Sequence, residues 1–124
     1  MSNPVNGKNI VLGITGSIAA YKSADLASRL TKQGAIVHSI LTDAGAKFIS
    51  PLSIQSVSGK KAFTEKDLWG GEGHVVHINL AHTADLIIIA PASANTIAKL
   101  AFGIADNLLT VTVLAATGPI IIAP

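Results

Sequence analysis

The residues best suited to chemistry lie in two polar turns and a short run of histidines. The segment PASANT at 91–96 places Ser93, Ala94, Asn95 and Thr96 directly after the apolar run Leu86-Ile87-Ile88-Ile89-Ala90. Such a run has the pattern of a strand buried on both faces of a parallel sheet. Pro91 stops it, and Ser and Asn are good helix N-caps. A helix N-terminus offers unbonded N–H groups to an anion, so strand, polar turn and helix in this order make a phosphate site at the carboxyl edge of a sheet. The same residues equally describe an ordinary capped helix after an ordinary strand, and by themselves they say no more than that.

A second turn, GITGS at 13–17, carries GxxGS rather than G-x-G-x-x-G, and no Gly-Lys-Ser/Thr follows. A dinucleotide fingerprint and a P-loop are both disfavoured. A small anion remains an option, because Gly16 permits close approach and Ser17 supplies a hydroxyl. On pattern alone a plain strand-to-helix turn explains it as well. Thr42, at the end of the next expected strand, falls at the same sheet edge and also suits the N-cap of a helix starting at Asp43.

The histidines are His38, His74, His77 and His82. His38 falls inside a strand and reads as structural. His74 and His77 have i, i+3 spacing, but His82 is about 140° further round a helix, there is no cysteine, and Glu72 is the only nearby carboxylate before Asp85. A metal site is disfavoured on that donor set. An imidazole near neutrality suits proton transfer, which fits His77, although a surface histidine on a helix looks the same in sequence.

These residues need a scaffold, and the chain alternates strand and helix patterns. Strands are predicted at 8–13, 35–41, 86–90 and 120–123, the last as another buried strand. Helices are predicted at 18–33, 43–48, 51–57, 74–81 and 106–116, besides the one after Ser93. Helix 18–33 should turn Ile18, Tyr21, Leu26 and Leu30 inward and stop at Gly34; an aromatic such as Phe48 is by pattern more often core than cofactor contact. Residues 58–72, rich in Gly and Lys, read as a mobile surface loop with a short extended piece near 62–64. The class is α/β with a parallel sheet.

With 124 residues the chain makes a single domain. It is 49% hydrophobic and only 13% charged, more apolar surface than a monomer of this size hides easily, so oligomerisation or a longer natural protein is expected. A net charge of +2 with scattered cations argues against nucleic acid. The polar N-terminus lacks a signal-peptide core, no apolar stretch reaches the ~20 residues that span a bilayer, and the absence of cysteine is compatible with the cytoplasm.

PASANT followed by GIADNLLT, preceded by GITGSIAAYK and by His-Ile-Asn-Leu at 77–80, resembles the homo-oligomeric flavin-containing cysteine decarboxylases, and among them the phosphopantothenoylcysteine decarboxylases. The resemblance covers residues 8–124 with four motifs in order. It implies a three-layer α/β/α, flavodoxin-like or Rossmann-like fold and FMN bound between neighbouring subunits of a trimer or dodecamer. Gly16, Ser17, Ile18, Thr42, Ser93, Ala94, Asn95 and Thr96 would contact FMN, Phe48, Asp106 and Asn107 would lie near it, and His77 would be the catalytic acid/base. The implied reaction is decarboxylation of 4′-phospho-N-pantothenoylcysteine to 4′-phosphopantetheine, with FMN as electron sink.

Family members continue past the last strand with a substrate-clamping segment and later a flap cysteine. The domain at 1–124 is therefore expected to be incomplete at its C-terminus and, in the natural protein, joined to a synthetase domain. Two other readings stay open. One is a related flavoprotein acting on another substrate, such as a peptidyl-cysteine decarboxylase or a flavin prenyltransferase. The other is a non-catalytic FMN-binding regulatory subunit.

Overall fold

The computed structural model describes residues 3–69, 71 and 73–124. Its strands are β1 (Asn9–Ile14), β2 (Ile36–Leu41), β3 (Ala62–Phe63), β4 (Leu86–Ile89) and β5 (Ile120–Ile122). They form one sheet in the order β3-β2-β1-β4-β5, with every neighbouring pair parallel. The helices are α1 (Ser23–Lys32), α2 (Asp43–Phe48), α3 (Pro51–Ser58), α4 (Glu65–Trp69), α5 (Gly73–Thr83), α6 (Ala94–Phe102) and α7 (Leu108–Ala115).

Successive strand residues point to opposite faces, and here both faces are covered. On one face Ile10, Leu12, Ile14, Val37 and Leu41 pack with Ala27 of α1 and Ile54 of α3. On the other, Val11, Ile40, Ile87 and Ile89 pack with Leu80 of α5 and with Leu108 and Leu109 of α7. Each fully buried Leu or Ile contributes about 1.5–3 kcal/mol over an exposed one, so these two layers hold the three-layer α/β/α architecture. At the amino edge of the sheet, Asp85 Oδ2 accepts from Asn9 N–H at 2.8 Å, tying β4 to β1. Among the described residues, no helix is long and apolar enough to cross a membrane.

Several expectations need correction. The helix expected at 18–33 begins as a 3₁₀ turn, Ile18–Lys22, and becomes α-helical only at Ser23. With three residues per turn the inward face rotates away from its α-helical position. Ile18 and Tyr21 are consequently 78% and 61% exposed, while Leu26 and Leu30 pack against the core. Gly34 follows α1 with φ +92°, a conformation that favours glycine. Phe48 is exposed rather than in the core.

The expected loop at 58–72 contains β3 and the short helix α4, while residues 70 and 72 lie outside the described residues. The last strand is apolar but not buried: β5 is the sheet edge, and Ile120, Ile121 and Ile122 are all exposed. The helix expected from 106 starts at Leu108, because Asn107 is its cap.

Gly45, in the first turn of α2, fixes how close that helix sits to the end of β1. A Cβ there would run into the carbonyl oxygen of Ile14. Gly45→Ala should therefore cost about 1–3 kcal/mol as α2 shifts outward, read as a lower urea midpoint with an unchanged slope. An unchanged midpoint would show that α2 can move off Ile14 freely.

Candidate functional site

The carboxyl ends of β1, β2 and β4 meet at one edge of the sheet, and three turns leave from there. Each is shaped by local chemistry that the sequence carries. Ser17 has extended backbone and its Oγ accepts from Ala19 N–H, capping the 3₁₀ turn at 3.2 Å. Thr42 caps α2 by accepting from Gly45 N–H at 3.0 Å. Ser93 caps α6 by accepting from Thr96 N–H at 3.2 Å. Asn107 caps α7 through a reciprocal capping box with Thr110.

A hydroxyl that sequence reasoning passed over locks two of these turns together. Thr15, fully buried, donates from Oγ1 to the carbonyl of Pro91 at 2.6 Å. The same oxygen accepts from Ser93 N–H at 2.7 Å. The backbone repeats the link, with Thr15 N–H donating to Pro91 O at 3.2 Å. Ser23 Oγ adds a contact to Ala90 O at 3.0 Å. These bonds join residues about as far apart in sequence as β1 and β4, so no local pattern signals them.

The result is a polar cavity of about 400 Å³ whose walls come from the three turns together with α4 and the start of α7. Of the expected cofactor contacts, Gly16, Thr42, Ser93, Asn95 and Thr96 line it. Ser17, Ile18 and Ala94 sit in the same turns without lining the cavity. The backbone N–H groups of Gly16, Ser17 and Ile18, and those of Ala94 and Asn95, make no hydrogen bond among the described residues. Two clusters of free donors, each at the start of a helical segment, thus lie at the edge where Thr15 clamps the turns together. Oriented N–H groups of this kind suit an anion.

Other wall residues were given little weight or none in the sequence. Asp106 and Asn107 line the cavity, and Asp106 pairs with Lys99 of α6 at 3.0 Å. Glu65 and the exposed Trp69, both of α4, also contribute. Burial raises the Glu65 carboxyl above its usual range; the Leu108 N–H opposes this, Asp43 adds to it, the Trp69 indole opposes it and Asp106 adds to it.

His77 lies half-buried on α5, outside the residues lining the cavity. His38 bonds Asn9 Oδ1 at 3.2 Å within the sheet, and burial, helped by Lys60, lowers its pKa. The His74 side chain lies outside the described residues. Among those described, no group of three or more His, Asp or Glu is arranged to hold a metal ion.

A doubly covered parallel sheet with a polar cavity and free N–H donors at its carboxyl edge defines an α/β domain of the kind that binds ligands at that edge. The Flavoprotein family profile matches residues 1–124, and the chain belongs to this family. Its sequence is 46% identical over 120 residues to the coenzyme A biosynthesis bifunctional protein CoaBC of Bacillus subtilis (strain 168), covering 97% of this chain and 30% of that protein. The chain therefore spans about 30% of the length of such relatives. The FMN-dependent cysteine decarboxylase TvaF from thioviridamide biosynthesis superposes with a TM-score of 0.89 at 30% identity, covering 96% of this chain and 74% of TvaF. A mutant of PPC decarboxylase superposes with a TM-score of 0.81 at 33% identity, covering 94% and 69%.

Replacing Thr15 by Val keeps the volume and removes both side-chain bonds, leaving Ser93 N–H without its acceptor. A loss of about 1–3 kcal/mol is expected, together with faster hydrogen exchange at the Pro91–Ser93 turn. Wild-type stability and exchange in Thr15→Val would remove the hydroxyl's clamping role.

Proposed function

We propose that this chain is the FMN-binding decarboxylase domain of a coenzyme A biosynthetic protein, converting 4′-phospho-N-pantothenoylcysteine to 4′-phosphopantetheine. The observation that carries the reading is the paired set of free N–H donors beside the Ser93, Asn95 and Thr96 wall. A phosphate monoester is a dianion with oxygens that accept several hydrogen bonds, and two adjacent helix starts supply them. Hydroxyls of Thr42, Ser93 and Thr96 supplement the backbone, and Lys99, paired with Asp106 at 3.0 Å, sets a cation in the wall. The residues present therefore fit FMN, whose phosphate would be held by the Gly16–Ile18 and Ser93–Thr96 turns.

When bound, FMN supplies the two-electron sink that makes loss of carbon dioxide from a cysteinyl carboxylate easy. The chain's own part is to hold, orient and move a proton. His77 is the proposed acid/base, holding a proton on an imidazole nitrogen beside the cysteinyl group of the substrate. Because His77 does not line the cavity of its own subunit, we infer a homo-oligomer in which the site forms between subunits. The exposed Ile18, Tyr21 and Leu52 offer apolar surface for such contacts. The matched relatives are named bifunctional, which supports a fused synthetase domain in the whole protein. A second reading, a cysteine decarboxylase with another substrate such as a peptidyl cysteine, draws support from the superposition on TvaF, which is named an FMN-dependent cysteine decarboxylase.

Purified protein should be yellow and release FMN on denaturation, identified by mass. In the whole protein, His77→Asn should lower decarboxylation of phosphopantothenoylcysteine by at least about 100-fold while FMN uptake stays unchanged. Undiminished turnover would remove His77 from the mechanism. Turnover of a C-terminal peptidyl cysteine without turnover of phosphopantothenoylcysteine would favour the second reading.

A further inference from the structure

Among the described residues, two buried side-chain oxygens lack a hydrogen-bond partner, Ser39 Oγ and Glu65 Oε1. Ser39 lies within the sheet, whereas Glu65 lines the polar cavity. An ionised carboxylate can accept about four hydrogen bonds, and a buried acceptor left without one is costly. Glu65 Oε2 accepts a long bond from Leu108 N–H at 3.4 Å, at the start of α7, and the Trp69 indole of the same helix also favours the ionised carboxyl.

The contrast with Asp67 on the same helix is instructive. Asp67 Oδ1 accepts from Lys61 Nζ at 2.7 Å and Oδ2 from Thr64 N–H at 2.8 Å, so both of its oxygens are satisfied within the chain. These bonds also anchor the start of α4 and so fix where Glu65 stands. The charged groups around Glu65 are Asp43 from α2 and Asp106 from the α7 entry, with Lys99 of α6 already committed to Asp106; Trp69 shares its helix. The fold thus presents to the cavity a carboxylate oxygen, Oε1, that makes no hydrogen bond of good geometry within the chain.

We propose that Glu65 Oε1 accepts a hydrogen bond from a hydroxyl or N–H group of the flavin nucleotide in this cavity, making Glu65 a cofactor-binding residue. The proposal rests on the flavin reading above. The phosphate belongs with the free N–H groups of the turns, and the uncharged polar part of the same molecule provides the donor that Glu65 lacks. Burial and the Asp43 charge raise the carboxyl in the free protein, and a ligand donor favours its ionised form. The bound value then lies below the free one. Affinity is at its full value above the free-state value and declines as pH falls through it.

The test is a fluorescence titration of FMN-free protein, comparing wild type with Glu65→Gln, alongside the thermal midpoint of each without flavin. The amide still offers one oxygen, which can cap Leu108 or face the ligand but not both. FMN should bind about tenfold more weakly to Glu65→Gln at an unchanged midpoint. Equal affinity overturns the proposal while leaving the flavin reading intact; failure of the wild type to bind FMN overturns both.

Should Glu65→Gln not fold, riboflavin binding to the wild type decides. Riboflavin has no phosphate to titrate, so its affinity should weaken as the pH is lowered from 7 to 4, and a flat profile overturns the proposal. Lumiflavin, which has no ribityl hydroxyls, identifies the donor. A loss shared by lumiflavin assigns the ring N–H, and a loss confined to FMN and riboflavin assigns a hydroxyl.

Discussion

The buried hydroxyl of Thr15 is the contact on which the site depends. β1 and β4 are adjacent and parallel, so their carboxyl ends emerge side by side, but a parallel ladder says nothing about how the departing turns are placed. Thr15 settles this by donating to Pro91 and accepting from Ser93 with one oxygen atom. In a dry interior such a fully used hydroxyl is worth keeping, since either partner would otherwise be stranded. The Ser93 N–H is spent on Thr15, so the free donors of α6 begin one residue later, at Ala94 and Asn95. The clamp therefore also determines which N–H groups remain available.

The sheet makes that clamp possible. The adjacent interior strands β1 and β4 are short and nearly continuously apolar because helices cover both faces, and their ends cannot wander without opening two cores at once. Gly16 and Gly45 bring the first turn and α2 into contact at the mouth of β1, where a Cβ on either residue would strike its neighbour. Small residues here do not confer flexibility. They allow three turns to crowd around a single cavity.

Much of this was legible in the sequence where the cause is local. The run Leu86-Ile87-Ile88-Ile89 could be read as a strand covered on both faces, and Thr42 and Ser93 as caps, because strand burial and cap geometry act within a few residues. What escaped was set at a distance. Thr15 finds partners 76 and 78 residues away, and Glu65 meets Leu108, 43 residues on. Helix α4 is five residues long beside glycines, and its start is fixed by Asp67 bonds rather than by apolar periodicity. Ile18 and Tyr21 were misplaced by assuming 3.6 residues per turn where the chain makes a 3₁₀ turn. Ile120, Ile121 and Ile122 look like core, yet what covers a strand depends on its place in the sheet, and β5 is at the edge.

The division of labour in the cavity has a further consequence. The free donors at its edge are backbone N–H groups, which any residue but proline supplies, so the arrangement requires turn geometry more than particular side chains. That explains how the fold persists at about 30% identity to TvaF, with a TM-score of 0.89. On the flavin reading proposed above, discrimination among molecules that share a phosphate would fall to wall side chains such as Glu65 and Trp69 of α4 and Asp106 and Asn107 at the entry to α7.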